Sequence, residues 1–190
     1  MNGPEQPPAG QSPWQIEWHA ELPSTMTRAR DLAESDAPAG TVVVADYQSE
    51  GRGTHGRIWL APPDGCLMFT LIARPAIPIE TLSDVPLRVS ESVADCLRAA
   101  YGVECEVKPP NDITIGGKKL AGVLCTSRLV GERLAWLLVG IGLNTRMSVM
   151  ERPFETATSL AIEGVAVTSH NDLLLRILDS LGWLLEPDLS

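Results

Sequence analysis

Hydrophobic residues along the chain fall into runs whose spacing separates strands from helices. Short runs that are rich in β-branched residues, or that alternate with polar residues, are typical of strands. The sequence predicts seven strands, at 14–22, 41–48, 66–73, 104–108, 112–115, 118–127 and 133–144. Apolar residues recur at helical spacing in three other segments. These predict helices at 26–35, at 83–102 and from about residue 171.

Cap and turn residues mark the ends of these elements. The expected caps are Ser24 or Thr25 for the first helix, Gly102 for the second, and Ser169 or Asn171 for the third. Gly116 and Gly117 lie between two alternating runs. They predict a two-residue hairpin turn, because both of its central residues need a positive φ.

The order of these elements predicts the fold class and the domain organisation. Helices and consecutive strands are mixed along the chain, so the predicted class is α+β, with a mixed, largely antiparallel sheet covered by helices on one face. A length of 190 residues suits one folded domain. Residues 1–13 are rich in Pro, Gly and Gln, which predicts a disordered tail, and the domain is expected to span 14–190.

Composition and charge narrow the classes of function. Apolar residues make up 44% of the chain and charged residues 21%, as in an ordinary globular protein. The net charge of -9 disfavours binding to nucleic acid or to an anionic membrane, since both carry negative charge. The four cysteines show no CxxC pair and lie in apolar runs, which indicates reduced thiols. No signal peptide or membrane-spanning run is present in the sequence, so we expect a cytoplasmic protein.

The first segment with candidate chemistry is the glycine-rich stretch from Asp46 to Trp59. Its glycines at 51, 53 and 56 allow the backbone to approach a ligand, and successive N–H groups in such a loop can bind an anion. Arg52, His55 and Arg57 add positive charge, and Trp59 offers a flat face to a planar group. A mobile surface loop explains the glycine content alone equally well.

The second segment runs from Lys108 to Leu124 and begins KPPND. Lys108 ends a predicted strand, and the two prolines after it fix the backbone. This position suits a point charge for a carboxylate and a phosphate. Turn statistics alone favour a plain type I turn, in which Asn111 and Asp112 bond their own backbone.

The third segment is GIGLNT, from Gly140 to Thr145. Small residues at 140 and 142 allow close packing, and Asn144 ends the strand with an amide. Taken alone, this segment is typical of a packed strand that ends in a turn-forming Asn.

Together these segments resemble the catalytic domain of biotin–protein ligases. The matching residues are Ser24–Thr25, GRGTHGRIW, KPPND, KLAGVL, GIGLN and a later ATSL at 157–160. The resemblance implies that biotin and ATP are substrates, with Mg²⁺ accompanying the nucleotide. It implies formation of biotinyl-5′-adenylate and transfer of biotin to a lysine of a biotin carboxyl carrier domain.

The resemblance also implies roles for individual residues. The expected catalytic residues are Lys108, bridging the carboxylate and the α-phosphate, and Arg52, on a flexible loop that closes over the adenylate. The expected biotin-binding residues are Ser24, Thr25, Met26, Gln48, Gly51, Arg52, Gly53, Thr54, Lys108 and Gly122. The expected ATP- and adenylate-binding residues are Arg52, His55, Arg57, Trp59, Lys108, Asn111 and Asn144.

Three residues depart from the family pattern. Thr54 stands where a second arginine is usual, which predicts weaker retention of the adenylate, with His55 or Arg57 as candidates to compensate. Pro109 replaces a tryptophan, and Met26 replaces an asparagine. These departures keep a catalytically impaired biotin-binding module open as an alternative. A lipoate or octanoate transferase on the same fold is a second alternative.

Many relatives carry an N-terminal DNA-binding domain and a small C-terminal β-barrel domain. Neither is expected here, so a repressor role is not expected. Relatives commonly dimerise through an exposed sheet edge, and a homodimer stays open.

Overall fold

The computed structural model describes residues 12–185. Its strands are β1 (Gln15–Leu22), β2 (Thr41–Gln48), β3 (Cys66–Ala73), β4 (Glu106–Lys108), β5 (Asp112–Ile115), β6 (Lys118–Val130) and β7 (Arg133–Asn144). Its α-helices are α1 (Thr25–Glu34), α2 (Val85–Tyr101) and α3 (His170–Ser180). The disordered tail predicted for residues 1–13 lies outside the described residues, apart from Ser12 and Pro13.

The seven strands form one mixed sheet in the order β1-β2-β3-β7-β6-β5-β4. Only β1 and β2 pair in parallel within the described chain, and the other neighbours are antiparallel. The predicted α+β class with a largely antiparallel sheet is therefore confirmed. The long β6–β7 hairpin, in the middle of this order, positions most of the residues discussed below.

One face of the sheet is covered by α2 and α3 and holds the main hydrophobic core. Strand β7 contributes every second residue to it, namely Leu137, Val139, Ile141 and Leu143. Leu173, Leu174, Ile177 and Leu178 of α3 are all fully buried against this core. The helical spacing of these leucines is what the sequence predicts for a helix with one apolar stripe.

The opposite face is only partly covered, by α1. Met26, Ala29 and Ala33 of α1 pack against a second, smaller cluster that includes Trp136 and Leu138 of β7. The prediction of a sheet covered on one face is therefore corrected. The apolar stripe of α1 consists of Met26, Ala29 and Ala33. Because this stripe is short and the sheet is wide, α1 covers only part of the opposite face, and β7 extends beyond the helix.

Several local signals behave as the sequence predicts. Gly116 and Gly117 have φ values of 53° and 76° in the β5–β6 turn, and Gly102 caps α2 with φ 67°. The Ser169 hydroxyl accepts a hydrogen bond from the Asp172 N–H at 3.1 Å. Ser24 has the N-cap position of α1, but its side chain makes no capping hydrogen bond.

No helix within residues 12–185 has the length and apolar character needed to cross a membrane.

Candidate functional site

The partly covered face contains a cavity whose floor is made of glycines. Gly122 of β6 and Gly142 of β7 are paired neighbours in the sheet, and Gly140 lies two residues before Gly142. A Cβ on Gly142 would lie 2.5 Å from Trp59 Cε2, and one on Gly140 would lie 2.8 Å from Met26 Sδ. Side chains at these positions would therefore collide with the residues that roof the cavity.

The cavity is narrow because two large side chains lie on this floor. Its volume is about 40 Å³. A pocket for an organic ligand usually encloses roughly 300–1,000 Å³. The thioether of Met26 and the indole of Trp59 occupy the space above Gly140 and Gly142. Binding of a ligand on the glycine floor would require both side chains to move.

A hydrogen-bond network forms one wall at the start of α1. The Thr25 backbone N–H and hydroxyl donate to Gln48 Oε1 at 2.7 and 3.1 Å, and the Thr70 hydroxyl donates to Thr25 Oγ1 at 2.9 Å. Ser24 is only 2% exposed, and its hydroxyl oxygen has no partner within residues 12–185. A buried polar atom without a partner is costly, so this hydroxyl is suited to bind a polar ligand atom.

Lys119 and Arg52 both line the cavity, and Lys119 is the cation that lies on its floor. Its Nζ lies 2.6 Å from Asp112 Oδ1 and 5.6 Å from the centre of the Trp59 ring. The same ammonium group approaches the floor, since a Cβ on Gly122 would lie 3.1 Å from it. Both side chains of the ion pair are more than a quarter exposed. The cation is held in place by Asp112 while remaining accessible from the cavity.

The backbone of Lys119 is fixed by Thr156 and Thr158, at the start of the ATSL segment (157–160). The Lys119 N–H donates to Thr156 O at 2.7 Å, and the Thr158 N–H donates to Lys119 O at 2.9 Å. The Asn144 amide Nδ2 donates to Thr158 O at 2.8 Å and to Lys119 O at 3.3 Å. Asn144 therefore joins the end of β7 both to β6 and to the ATSL segment.

The glycine-rich stretch folds as a tight hairpin over the cavity. The Trp59 N–H donates to Gly51 O at 2.9 Å, and the Gly53 N–H donates to Arg57 O at 2.7 Å. His55, at the tip, has a positive φ of 56°. Because Gly53 uses its N–H within the hairpin, that group is not free to bind an anion in this conformation.

Most of the residues that the sequence singled out line the cavity. They are Ser24, Thr25, Met26, Gln48, Arg52, Gly53, Thr54, Trp59, Asn111 and Gly122. Arg57 and Asn144 line an adjoining cavity of about 200 Å³, which shares Trp59 and Lys119 with the first. Gly51 lines an open groove on the other side of the hairpin. His55 is exposed and lines none of these three.

The structure does not bring Lys108, the cation expected from the sequence, into the cavity. Lys108 is exposed at the end of β4, the edge strand, and does not line the cavity. Lys119, which the sequence analysis did not select, lies there instead. The signal that could have identified it is the KLAGVL motif itself, because Gly122 of that motif forms the cavity floor.

The cysteines near the site are not candidate nucleophiles. Burial raises the pKa of Cys66 and of Cys125 to about 12, so both remain thiols near neutral pH. The Cys66 thiol donates to Asn144 Oδ1 at 3.1 Å. Its role is to orient the Asn144 amide, whose nitrogen then faces Lys119 O and Thr158 O.

The sequence of this chain is similar to those of known proteins. A model of the biotin/lipoate A/B protein ligase family matches residues 18–144. The bifunctional ligase/repressor BirA of Bacillus subtilis is 36% identical over 147 residues, which are 76% of this chain and 45% of that protein. The biotin–[acetyl-CoA-carboxylase] ligase of Mycobacterium tuberculosis is 32% identical over 163 residues, which are 82% of this chain and 57% of that protein.

Solved structures show the same fold. The biotin protein ligase from Aquifex aeolicus, in complex with biotin and ATP, matches with a TM-score of 0.73 and 33% identity. The match covers 88% of this chain and 68% of that one. The chain spans about half the length of the curated relatives it matches.

Proposed function

The chain belongs to the biotin/lipoate A/B protein ligase family, and from that premise we propose that it is an ATP-dependent biotin–protein ligase. The proposed reaction activates biotin as biotinyl-5′-adenylate and passes the biotinyl group to a lysine of a biotin carboxyl carrier domain. One observation carries the proposal. The glycine-floored cavity combines the buried Ser24 hydroxyl, which has no hydrogen-bond partner in the described part of the chain, with the ammonium group of Lys119.

The Ser24 end of the cavity suits the ureido ring of biotin. That ring presents a carbonyl oxygen and two N–H groups, and each needs a partner when it is buried. The Ser24 hydroxyl can donate to the carbonyl or accept from an N–H. The Thr25 and Gln48 side chains, already bonded to each other, lie beside it. The apolar atoms of Met26 and Trp59 then suit the acyl chain of biotin.

The Lys119 end suits the activation step. A carboxylate oxygen of biotin attacks the α-phosphorus of ATP, a mixed carboxylic–phosphoric anhydride forms, and pyrophosphate leaves. Because two anions must meet, positioning and positive charge provide most of the catalysis. Lys119 is our candidate for the group that neutralises both. Asp112, 2.6 Å away, acts as a positioning residue for its ammonium group.

In the transfer step, the amine of the acceptor lysine attacks the carbonyl carbon of the anhydride. An amide bond forms, AMP leaves, and the amine loses a proton to solvent or to a nearby base. The anhydride must be protected from water before this attack. The hairpin with Arg52 and Thr54 covers the cavity and is the candidate shield.

The nucleotide would bind in the adjoining cavity lined by Trp59, Arg57 and Asn144. Mg²⁺ is expected to arrive with the nucleotide phosphates, as it does in many phosphate-transfer sites. Within residues 12–185, no group of three or more His, Cys, Asp or Glu side chains is arranged to hold a metal ion.

The proposal is tested by measuring its two steps separately. The protein is incubated with ATP, Mg²⁺ and biotin to follow biotin-dependent pyrophosphate exchange, and then with an unmodified carrier domain to follow labelling. Exchange and labelling together support the proposal. Exchange without labelling, or biotin binding without exchange, would indicate an impaired module. Activity with lipoate but not with biotin would indicate the other branch of the family.

A further inference from the structure

A groove with three arginines opens beside the candidate active-site cavity. We call it the arginine groove, and it lies between α1, the glycine-rich hairpin and β6, with a volume of about 490 Å³. Arg30 comes from α1, while Arg52 and Arg57 come from the hairpin. The groove and the cavity share Met26, Arg52, Gly53 and Leu124 as lining residues. The two spaces are therefore directly adjacent.

The three arginines have no carboxylate partner within residues 12–185. Four other arginines each form an ion pair with an Asp or Glu side chain, at 2.5 to 3.1 Å. The groove contains one carboxylate, Glu50, so its lining carries a formal charge of +2 from three arginines and one glutamate. In a chain of net charge -9, this is a local concentration of unneutralised cations.

We propose that the arginine groove binds an acidic stretch of the acceptor polypeptide that flanks the target lysine. This inference rests on the proposed function, because it assumes that the acceptor lysine must reach an adenylate in the neighbouring cavity. An acidic acceptor would be repelled by most of this protein's surface. Local charge complementarity at the groove overcomes that repulsion and also orients the acceptor next to the cavity.

The lining of the groove favours a polypeptide over a polyphosphate. Ile58, at the groove, is 68% exposed, and Met26 and Leu124 add apolar surface. Such surface suits side chains of a protein partner better than phosphate oxygens. Glu50, in the same groove, can pair with a basic residue of a polypeptide, which a polyphosphate does not have.

Arg30 gives the cleanest test, because it lines the groove and not the cavity. Arg30→Glu is compared with Arg133→Glu, which changes the net charge equally. Arg133 is exposed at the turn between β6 and β7 and lies outside the groove. The acceptor is an unmodified biotin carboxyl carrier domain, used with and without Glu→Gln and Asp→Asn changes beside its target lysine.

We expect Arg30→Glu to raise the KM for the acidic carrier by about tenfold. Biotin-dependent pyrophosphate exchange should remain unchanged, and Arg133→Glu should alter the KM by less than about twofold. The carrier without its flanking carboxylates should bind poorly to the wild type and lose no further affinity to Arg30→Glu. Raising the salt concentration should remove the difference between the wild type and Arg30→Glu.

Three results would overturn the inference. These are an equal loss in Arg133→Glu, an Arg30→Glu effect that ignores the carrier's carboxylates, or a raised KM for ATP in place of the carrier. Failure of the proposed function is recognised separately, by wild-type protein that shows no biotin-dependent exchange. Calorimetric titration with the carrier then tests the groove without any chemistry. Binding weakened by Arg30→Glu supports it, and absence of wild-type binding at low salt overturns it.

Discussion

The two faces of the sheet are made from alternate residues of the same strands, yet one carries large apolar side chains and the other carries glycines. Along β7, Leu137, Val139 and Leu143 point into the core beneath α2 and α3. The residues between them change from Trp136 and Leu138 to glycine at 140 and 142. The first face is filled by large side chains. The second has no side chains at 140 and 142, where Met26 of α1 and Trp59 lie on the strand.

This difference separates residues that stabilise the fold from residues that create the site. On the core face, free energy comes from burying apolar side chains, so loss of volume is harmful. On the glycine face, added volume is harmful, because Met26 and Trp59 already lie against the floor. Neighbouring positions in β7 should therefore respond to substitution in opposite ways.

The largest effect is expected at the cation of the glycine face. Lys119→Ala should lower biotin-dependent pyrophosphate exchange by about 100- to 1,000-fold, since it removes the charge that faces the two anions. Lys108→Ala is the matched control and should leave exchange within about twofold. Exchange rates at saturating ATP and biotin decide between them. A loss in Lys108→Ala with normal Lys119→Ala activity would restore the original expectation from the sequence.

A substitution on the core face should change the stability of the fold. Leu143 is fully buried in the main cluster. Leu143→Ala should lower the free energy of unfolding by about 2–5 kcal/mol, because it removes buried apolar volume and leaves a cavity. Urea unfolding followed by circular dichroism measures this change. If exchange per folded molecule also fell tenfold, the separation between the two faces would be wrong at this position.

A substitution at Gly142, the residue next to Leu143, should weaken the binding of biotin. In Gly142→Ala the new Cβ would lie 2.5 Å from Trp59 Cε2, so the indole or the strand must shift. We expect the KM for biotin to rise by about tenfold, with a loss of stability of about 1 kcal/mol. Gly182→Ala is the control, because its Cβ would meet no atom within 4 Å. An unchanged KM in Gly142→Ala would show that the floor tolerates a side chain.

A smaller effect is expected at Thr54, where the family usually has an arginine. Thr54 lines both cavities beside Lys119. Thr54→Arg should slow release of biotinyl-adenylate by about tenfold, the effect of one added charge-assisted hydrogen bond. Thr54→Gln lengthens the side chain without adding charge and serves as the control. Equal release rates in all three proteins would count against this role of the missing cation.

The smallest effect concerns pH and the packing of α3. Burial, and to a lesser extent the positive charge of Arg146, lowers the pKa of His170 below its usual value of 6.5. His170 Nε2 lies 2.7 Å from the Thr145 hydroxyl. Well above pH 6.5 neither the folded nor the unfolded chain is protonated at this residue. As the pH falls from 6.5 toward the lower folded pKa, the unfolded chain binds more protons, so stability decreases.

His170→Gln should reduce this loss of stability, which is measured as the free energy of unfolding between about pH 5 and 7. An identical pH slope in the wild type and His170→Gln would refute the assignment.

Thr145 directly follows Asn144, so consecutive residues at the end of β7 act on different parts of the molecule. Asn144 holds Lys119, and Thr145 contacts α3.

Much of the fold could be predicted from sequence because its signals are local. The strands at 41–48 and 66–73 match their predicted bounds, and the Gly116–Gly117 turn has the expected positive φ values. The C-cap at Gly102 and the N-cap at Ser169 follow from single residues. The position of α1 on the opposite face could not be predicted, because no periodicity states which face a helix covers.

The choice between two lysines shows where the sequence was insufficient. Lys108 and Lys119 lie on either side of Asp112, and both belong to strands of the same β meander. The β4–β5 register pairs Lys108 with Asp112 at the sheet edge, while a bulge at Ile113/Thr114 shifts the register before Lys119. A bulge changes which face a side chain occupies. Sequence spacing alone does not reveal it.

The Trp59 indole on the glycine floor gives this protein a built-in fluorophore at its candidate active site. Its Nε1 is buried without a hydrogen-bond partner within residues 12–185, and its ring lies against Gly142. The indole nitrogens of Trp14 and Trp18 are bonded to Asp179 and Asp46, away from the cavity. A ligand that displaces Trp59 should therefore change the emission spectrum of the unlabelled protein. Stopped-flow mixing with biotin alone, and then with the nucleotide, could time the arrival of each ligand, since Trp59 lines both cavities.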